Sequence, residues 1–230
     1  MDDISPLNGK AVLIVDNAIP TRRALQEQMS QLGAKQIVFA GSVSEVEGHL
    51  TGRDFSLIVC EYILEGDRSG QQLLEELRLQ KRLPWFTAFM MVTGERTYSN
   101  VVSVAEFEPD DYLIKPFTAS ALSERVIRIF NRKHRLSKAY EAMYDTRYEE
   151  VSALCMQLSG DFPQYSRELE RMRIEAIYHL KRFDQAETEL EQALGANERP
   201  WMPFLLAKIK TEKKEFAGAE ELLSRVVHEH

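Results

Sequence analysis

Five short apolar runs punctuate the first half of the chain, and each is followed by residues with helical spacing. The runs are Ala11 to Val15, Ile37 to Ala40, Leu57 to Cys60, Phe89 to Val92 and, opening on an aspartate, Asp111 to Ile114. An unalternating apolar run bounded by turn residues is the pattern of a strand buried on both faces. After the first run, Pro20 opens a helix with Ala24, Leu25, Met29 and Leu32 as apolar positions and Gly33 at its close. Ser42 or Ser44 can cap a short helix through Val46 and Leu50 that Gly52 ends. Leu73, Leu74 and Leu77 share one face of a helix from Gln71 to Gln80. Further helices are expected from about Tyr98 to Phe107 and from about Thr118 past Phe130. Five rounds of strand then helix predict an α/β fold, a five-stranded doubly wound parallel sheet. Right-handed crossovers then gather all strand C-termini on one edge.

Beyond Arg132 the strand pattern stops and helical spacing takes over, with Pro163, Pro200 and Pro203 as punctuation. Two domains are expected, 1–132 and 133–230, joined through the long helix rather than by a loose linker. Within the second, Arg147-Tyr148-Glu149-Glu150-Val151, Arg182-Phe183-Asp184-Gln185-Ala186 and Glu215-Phe216-Ala217-Gly218-Ala219 echo one another, with the aromatics 35 and 33 residues apart. That period, with a helix on each side of every aromatic, predicts an all-α array of about three helical hairpins. A plain helical bundle with accidental spacing is the competing reading. The last predicted helix completes the third pair without a polar capping helix, as expected of a segment of a longer protein or of an end covered by a partner.

Composition narrows the function. Of 230 residues, 44% are hydrophobic and 28% charged, ordinary for a globular chain. A net charge of −7 argues against nucleic acid as a general partner. No apolar run is long enough to span a bilayer, and the acidic start Met1-Asp2-Asp3 has no signal-peptide pattern, so a cytoplasmic protein without a membrane partner is expected. The two cysteines, Cys60 and Cys155, lie in apolar patterns and read as buried thiols in a reducing compartment. No Gly-rich phosphate loop, nucleophile elbow or zinc signature is present, and an enzyme is not expected. Arg125, Arg128, Arg132 and Arg135 form a basic stripe suited to an acidic partner or to a second copy in a homodimer, with a solvated helix face as the bland reading.

The candidate chemistry sits at the strand ends. Asp16 and Asn17 follow the first strand, Glu61 the third, Thr93 the fourth and Lys115 the fifth. Open α/β sheets place ligand sites at this edge. The motifs Val15-Asp16-Asn17, Pro20, Arg22, Glu61, Thr93-Gly94 and Tyr112-Leu113-Ile114-Lys115-Pro116 resemble the receiver domain of bacterial two-component response regulators, a flavodoxin-like fold. The resemblance covers about Lys10 to Arg132. The second half resembles tetratricopeptide repeats, with the small residue of the first helix present as Ala139 and Ala207 but replaced by Ile174.

The resemblance implies roles by position. Glu61 stands at the phosphoacceptor aspartate, Asp16 and Asn17 at the acidic pair, Thr93 and Lys115 at the phosphoryl-binding positions and Tyr112 at the switch aromatic. Asp16, Asn17, Glu61 and the Ile63 carbonyl would be the Mg²⁺ ligands. A sensor histidine kinase or phosphotransfer protein would be the upstream partner, and a protein would be the ligand of the repeats. Two positions depart from the family pattern. Asn17 is neutral, and Asp16, Glu61 and Lys115 then sum to −1, so weak Mg²⁺ binding is expected. Glu61 is longer than aspartate by one carbon–carbon bond, about 1.5 Å. It is a poor nucleophile for in-line transfer and brings negative charge toward Thr93 and Lys115. Glu61 is therefore expected to act as a partial phosphomimic that controls protein–protein interaction. The alternatives are a pair with Lys115 that fixes the inactive shape, a working phosphoacceptor, and a scaffold dimerised by the receiver. Asp67 in the following loop is a remote substitute acceptor.

Overall fold

The computed structural model describes residues 5–64, 68–94, 108–199 and 201–229. The expected helix near Tyr98 to Phe107 and the loop residue Asp67 lie outside them. The chain forms two compact units that divide between His134 and Arg135.

In the first unit, strands β1 (Ala11–Val15), β2 (Gln36–Ala40), β3 (Leu57–Glu61), β4 (Ala88–Thr93) and β5 (Asp111–Ile114) make one sheet in the order β2-β1-β3-β4-β5. All pairs are parallel, with Val15 beside Cys60, Glu61 beside Val92 and Thr93 beside Ile114. Helices α1 (Ile19–Gln31), α2 (Val43–Leu50), α3 (Gly70–Leu79) and α4 (Ala119–Arg135) cover it. The apolar strands bury both faces. Leu13, Val15, Ile58, Cys60, Phe89 and Met91 pack with Val46 of α2 and Leu73, Leu74 and Leu77 of α3. Val12, Ile14, Val59, Met90 and Val92 pack on the other face with Leu25 and Met29 of α1 and Leu122, Val126 and Ile129 of α4.

Local chemistry starts and stops the helices. The Ser42 hydroxyl accepts the Glu45 N–H at 3.3 Å, and Glu45 reaches back to the Gly41 N–H at 2.8 Å. Ser69 and Gln72 form a reciprocal cap on α3. Gly33 takes φ +87° just past α1, the left-handed conformation that ends a helix most cheaply with glycine.

The second unit consists of α5 (Ser137–Tyr144), α6 (Tyr148–Asp161), α7 (Ser166–His179), α8 (Phe183–Asn197), α9 (Trp201–Glu212) and α10 (Phe216–Glu229), with a short 3₁₀ turn at Pro163–Tyr165. Tyr148, Phe183 and Phe216 each open the second helix of a pair. The three turns before them are equivalent: Thr146, Lys181 and Lys214 have φ of 60°, 59° and 65°. The N–H groups of Arg147, Arg182 and Glu215 each bond a carbonyl five residues back, at 2.8, 3.2 and 2.8 Å. This is the Schellman pattern, which satisfies helix-end carbonyls and offsets the strain of a left-handed non-glycine residue. Ala139, Ile174 and Ala207 in the first helices are buried, as are Val151, Ala186 and Ala219 in the second. Pro203 does not punctuate as expected. It is the third residue of α9, in the first turn, where an N–H would have no helical partner to lose.

Candidate functional site

The strand order brings Asp16, Glu61, Thr93 and Lys115 to the C-terminal edge of three adjacent strands and the edge strand β5. Asp16 is buried at 3% exposure. Its Oδ1 accepts the Ala18 N–H at 2.7 Å, and its Oδ2 lies 3.2 Å from Lys115 Nζ. Glu61 bends back on its own loop, so that Oε1 accepts the N–H of Tyr62 at 2.8 Å and of Ile63 at 3.4 Å. The other oxygen, Oε2, forms a close ion pair with Lys115 Nζ. Lys115 is in turn placed by its backbone, whose N–H bonds the Thr93 carbonyl at 2.7 Å. Burial alone would lower the pKa of this ammonium, but Glu61 first and Asp16 second outweigh that effect and hold it above the ordinary lysine value. Thr93 is buried at the end of β4. Asn17 and Ile63 are both exposed at the rim, Ile63 at 55%.

Gly70 makes the turn back from Glu61 possible. Its N–H bonds the Tyr62 carbonyl at 2.7 Å, and a Cβ there would lie 2.5 Å from the Glu61 carbonyl and 2.9 Å from Met91 Sδ. The requirement for glycine comes from packing against β3 and β4, which no local sequence pattern around Gly70 displays.

These groups do not fit Mg²⁺. The oxygens of Asp16 and Glu61 are committed to backbone amides and to Lys115. The neighbouring position is the neutral amide of Asn17. Among the described residues, no group of three or more His, Cys, Asp or Glu side chains is arranged to hold a metal. Lys115 sits between the two carboxylates, where its ammonium supplies the positive charge.

Tyr112 turns its ring into the core on the α2/α3 face, near Tyr62. Its hydroxyl is buried with no hydrogen-bond partner among the described residues. Burial, with Glu108 adding to it, pushes the phenol well above its usual range.

Part of the basic stripe of α4 is paired within the receiver unit. Arg125 bonds Asp111 at 2.6 Å, and Arg128 pairs with the same carboxylate. Asp110, nearly buried, receives Lys133 at 3.0 Å, Arg132 at 3.2 Å and the Phe89 N–H at 2.8 Å, with Arg78 at 3.8 Å. Burial would raise the Asp110 pKa, but Lys133, Arg78 and Arg132 hold it below the usual carboxylate range. Asp111 was legible in the sequence only as the start of a strand, and Asp110 carried no signal.

Residues 12–127 match the model of the response regulator receiver domain. The chain is 29% identical to the chemotaxis protein CheY of Pseudomonas aeruginosa over 121 residues, which are 53% of this chain and 96% of that protein. It is 28% identical to the chemotaxis protein CheY-3 of Vibrio cholerae, over 53% and 92% of the two chains. Similar solved structures include the signal receiver domain of an HD domain-containing protein from Pseudomonas fluorescens, with 23% identity, TM-score 0.49, and 55% and 98% of the two chains covered. Another is a CheY-like receiver domain protein from Methanospirillum hungatei, with 22% identity, TM-score 0.48, and 56% and 98% covered. With half its length matched and the five-stranded parallel sheet in place, the chain belongs to the response regulator receiver domain family, a family of two-component-type signalling proteins rather than enzymes.

Proposed function

We propose that this is an atypical receiver whose pocket is set by Glu61 rather than by a transferred phosphoryl group. The observation that carries the reading is the ion pair of Lys115 with both Glu61 and Asp16. In the family pattern, the strand-end lysine binds phosphoryl oxygens; here a carboxylate of the protein itself already engages it. A carboxylate has one full charge and two oxygens, against about −1.5 to −2 and three oxygens for a phosphate. Glu61 is thus a partial phosphomimic that shifts a conformational population. Tyr112 would be the switch aromatic that senses it, and Thr93 the second contact.

The output is protein–protein interaction through the helical pairs, read as tetratricopeptide-like repeats spanning about 133–230. Their matched turns and the buried Ala139 and Ala207 support that reading, while Ile174 departs from the pattern. The protein would work in the cytoplasm beneath a sensor histidine kinase or phosphotransfer protein, with a protein ligand on the repeats.

A second reading has its own support. Membership of the family, and curated relatives that are chemotaxis proteins of the CheY type, favour a working phosphoacceptor at Glu61. A receiver-dimerised scaffold is the third possibility. Intact mass after incubation with a small phosphodonor and Mg²⁺ separates the first two. The wild type should gain nothing, and the double variant Asn17→Asp, Glu61→Asp should gain one phosphoryl group. A stoichiometric gain on wild-type Glu61 establishes the second reading instead. The scaffold predicts that pocket variants leave partner binding and dimerisation unchanged.

A further inference from the structure

Two features can keep a divalent cation out of this pocket. One is charge: with Asn17 neutral, Asp16, Glu61 and Lys115 sum to −1. The other is the reach of Glu61, whose side chain engages partners on two sides. Its backbone is fixed, with Cys60 in register between Val15 and Met91, and Glu61 beside Val92. The turn that follows is pinned as well. Ile63 lies opposite Ser69 in an isolated antiparallel bridge, and the Gly70 N–H bonds the Tyr62 carbonyl at 2.7 Å. The Tyr62 and Ile63 amides are therefore held in place, and Glu61 Oε1 accepts them at 2.8 and 3.4 Å. With Oε1 anchored there, Oε2 meets Lys115 Nζ. The same ammonium lies 3.2 Å from Asp16 Oδ2, while Asp16 Oδ1 accepts the Ala18 N–H at 2.7 Å. Every carboxylate oxygen of the pair thus has a partner. The two side chains are only 4% and 13% exposed, so water competes little for those oxygens.

Asn17 is exposed at the rim and, among the described residues, takes no part in this set of bonds. A carboxylate in its place would add charge but release none of the oxygens of Asp16 and Glu61. Mg²⁺ dehydrates reluctantly and demands near-octahedral oxygen ligands, so it does not readily displace an ammonium and several amides to obtain them. Exchanging Glu61 for aspartate does the reverse. The charge total stays the same, but the carboxylate is drawn back along the side chain by about 1.5 Å. From a fixed backbone, that length cannot serve both the loop amides and Lys115. Lys115 then keeps only Asp16, and an oxygen is left open at the strand end.

We propose that Glu61 is the specificity-determining residue that closes this pocket to divalent cations, through its simultaneous reach to Lys115 and to the loop amides, and that the neutrality of Asn17 is secondary. The expected weak Mg²⁺ binding is kept, but its cause moves from Asn17 to Glu61. The inference rests on the same Glu61–Lys115 pair as the proposed function, without needing Glu61 to carry a signal. The two causes predict opposite rankings. Charge makes Asn17→Asp the tighter binder and leaves Glu61→Asp like the wild type. Reach makes Glu61→Asp the tighter binder and leaves Asn17→Asp like the wild type.

The test is calorimetric titration of the full chain with MgCl₂, with bound Mn²⁺ counted by electron paramagnetic resonance as a second measurement. Glu61→Asp is expected to bind one ion at least about tenfold more tightly than the wild type, and Asn17→Asp to stay within about threefold of the wild type. Asn17 is exposed, so its variant should unfold at the wild-type urea midpoint, and its result stands whether or not Glu61→Asp folds as well. In wild-type protein labelled at the lysine nitrogens, excess Mg²⁺ should leave the Lys115 ammonium resonance in place. The ranking of the two single variants bears on metal exclusion alone, whereas a mass gain on wild-type Glu61 bears on the proposed function. Asn17→Asp binding about tenfold more tightly than the wild type overturns the proposal in favour of charge. So does a folded Glu61→Asp that binds no better than the wild type, or a wild-type Lys115 resonance that moves saturably with Mg²⁺.

Discussion

Replacing Glu61 by Gln keeps the shape of the side chain and an oxygen able to accept the Tyr62 and Ile63 amides, but removes the charge that faces Lys115. Two unit charges about 4 Å apart at an effective dielectric constant of about 20 attract by roughly 4 kcal/mol before solvation is counted. Lys115 keeps Asp16 as a second partner at 3.2 Å and is 28% exposed, so solvent screening and the remaining carboxylate reduce the loss. We expect Glu61→Gln to destabilise the receiver unit by roughly 1–2 kcal/mol at neutral pH. The pH dependence follows from the raised pKa of Lys115 in the fold. A lysine whose folded pKa exceeds its unfolded value contributes fully below about 10.5 and loses that contribution as pH climbs through the folded value. The gap between wild type and variant should be flat from about pH 7 to about pH 9 and close above about 10.5. Urea unfolding followed by Trp85 fluorescence, in a Trp201→Phe background, reports the first unit separately from the second. A gap below about 0.5 kcal/mol at neutral pH, or one that widens in alkali, would refute the reasoning.

Tyr112→Phe removes a buried hydroxyl that has no partner among the described residues. It should therefore be neutral or stabilising by up to about 1 kcal/mol, against the usual loss for a buried tyrosine, and a loss above about 1 kcal/mol would show that the hydroxyl is bonded. Asp110→Ala leaves Lys133 nearly buried beside Arg132 and Arg78 without their carboxylate. It should cost roughly 3–5 kcal/mol by urea unfolding, whereas replacing Asp110 and Lys133 together by apolar residues should recover much of that.

The sheet was legible because its strands are continuous apolar runs, a pattern that needs no tertiary information. The strand-end residues were legible as a set for the same reason: a parallel sheet with right-handed crossovers leaves them only one edge to occupy. What Glu61 does with its length was not legible. The sequence suggested a carboxylate reaching forward to Lys115; the structure adds that its other oxygen turns back to the amides of Tyr62 and Ile63, a local bond set by the turn at Gly70. Helical spacing places the arginines of α4 on one face without saying what that face meets. Asp110 and Asp111 meet it, and two adjacent acids at a strand start carry no periodic signal. Pro203 looked like a boundary because a proline at the first turn and one beyond a helix end are alike in sequence.

The most direct test of the account is the titration of the Lys115 ammonium itself, observed by nitrogen NMR in protein labelled at lysine. If that ammonium bridges Glu61 and Asp16, it titrates above the ordinary lysine value of 10.5 in the wild type and moves down in Glu61→Gln. A Lys115 resonance that titrates at the ordinary value, and does not respond to Glu61→Gln, would contradict it.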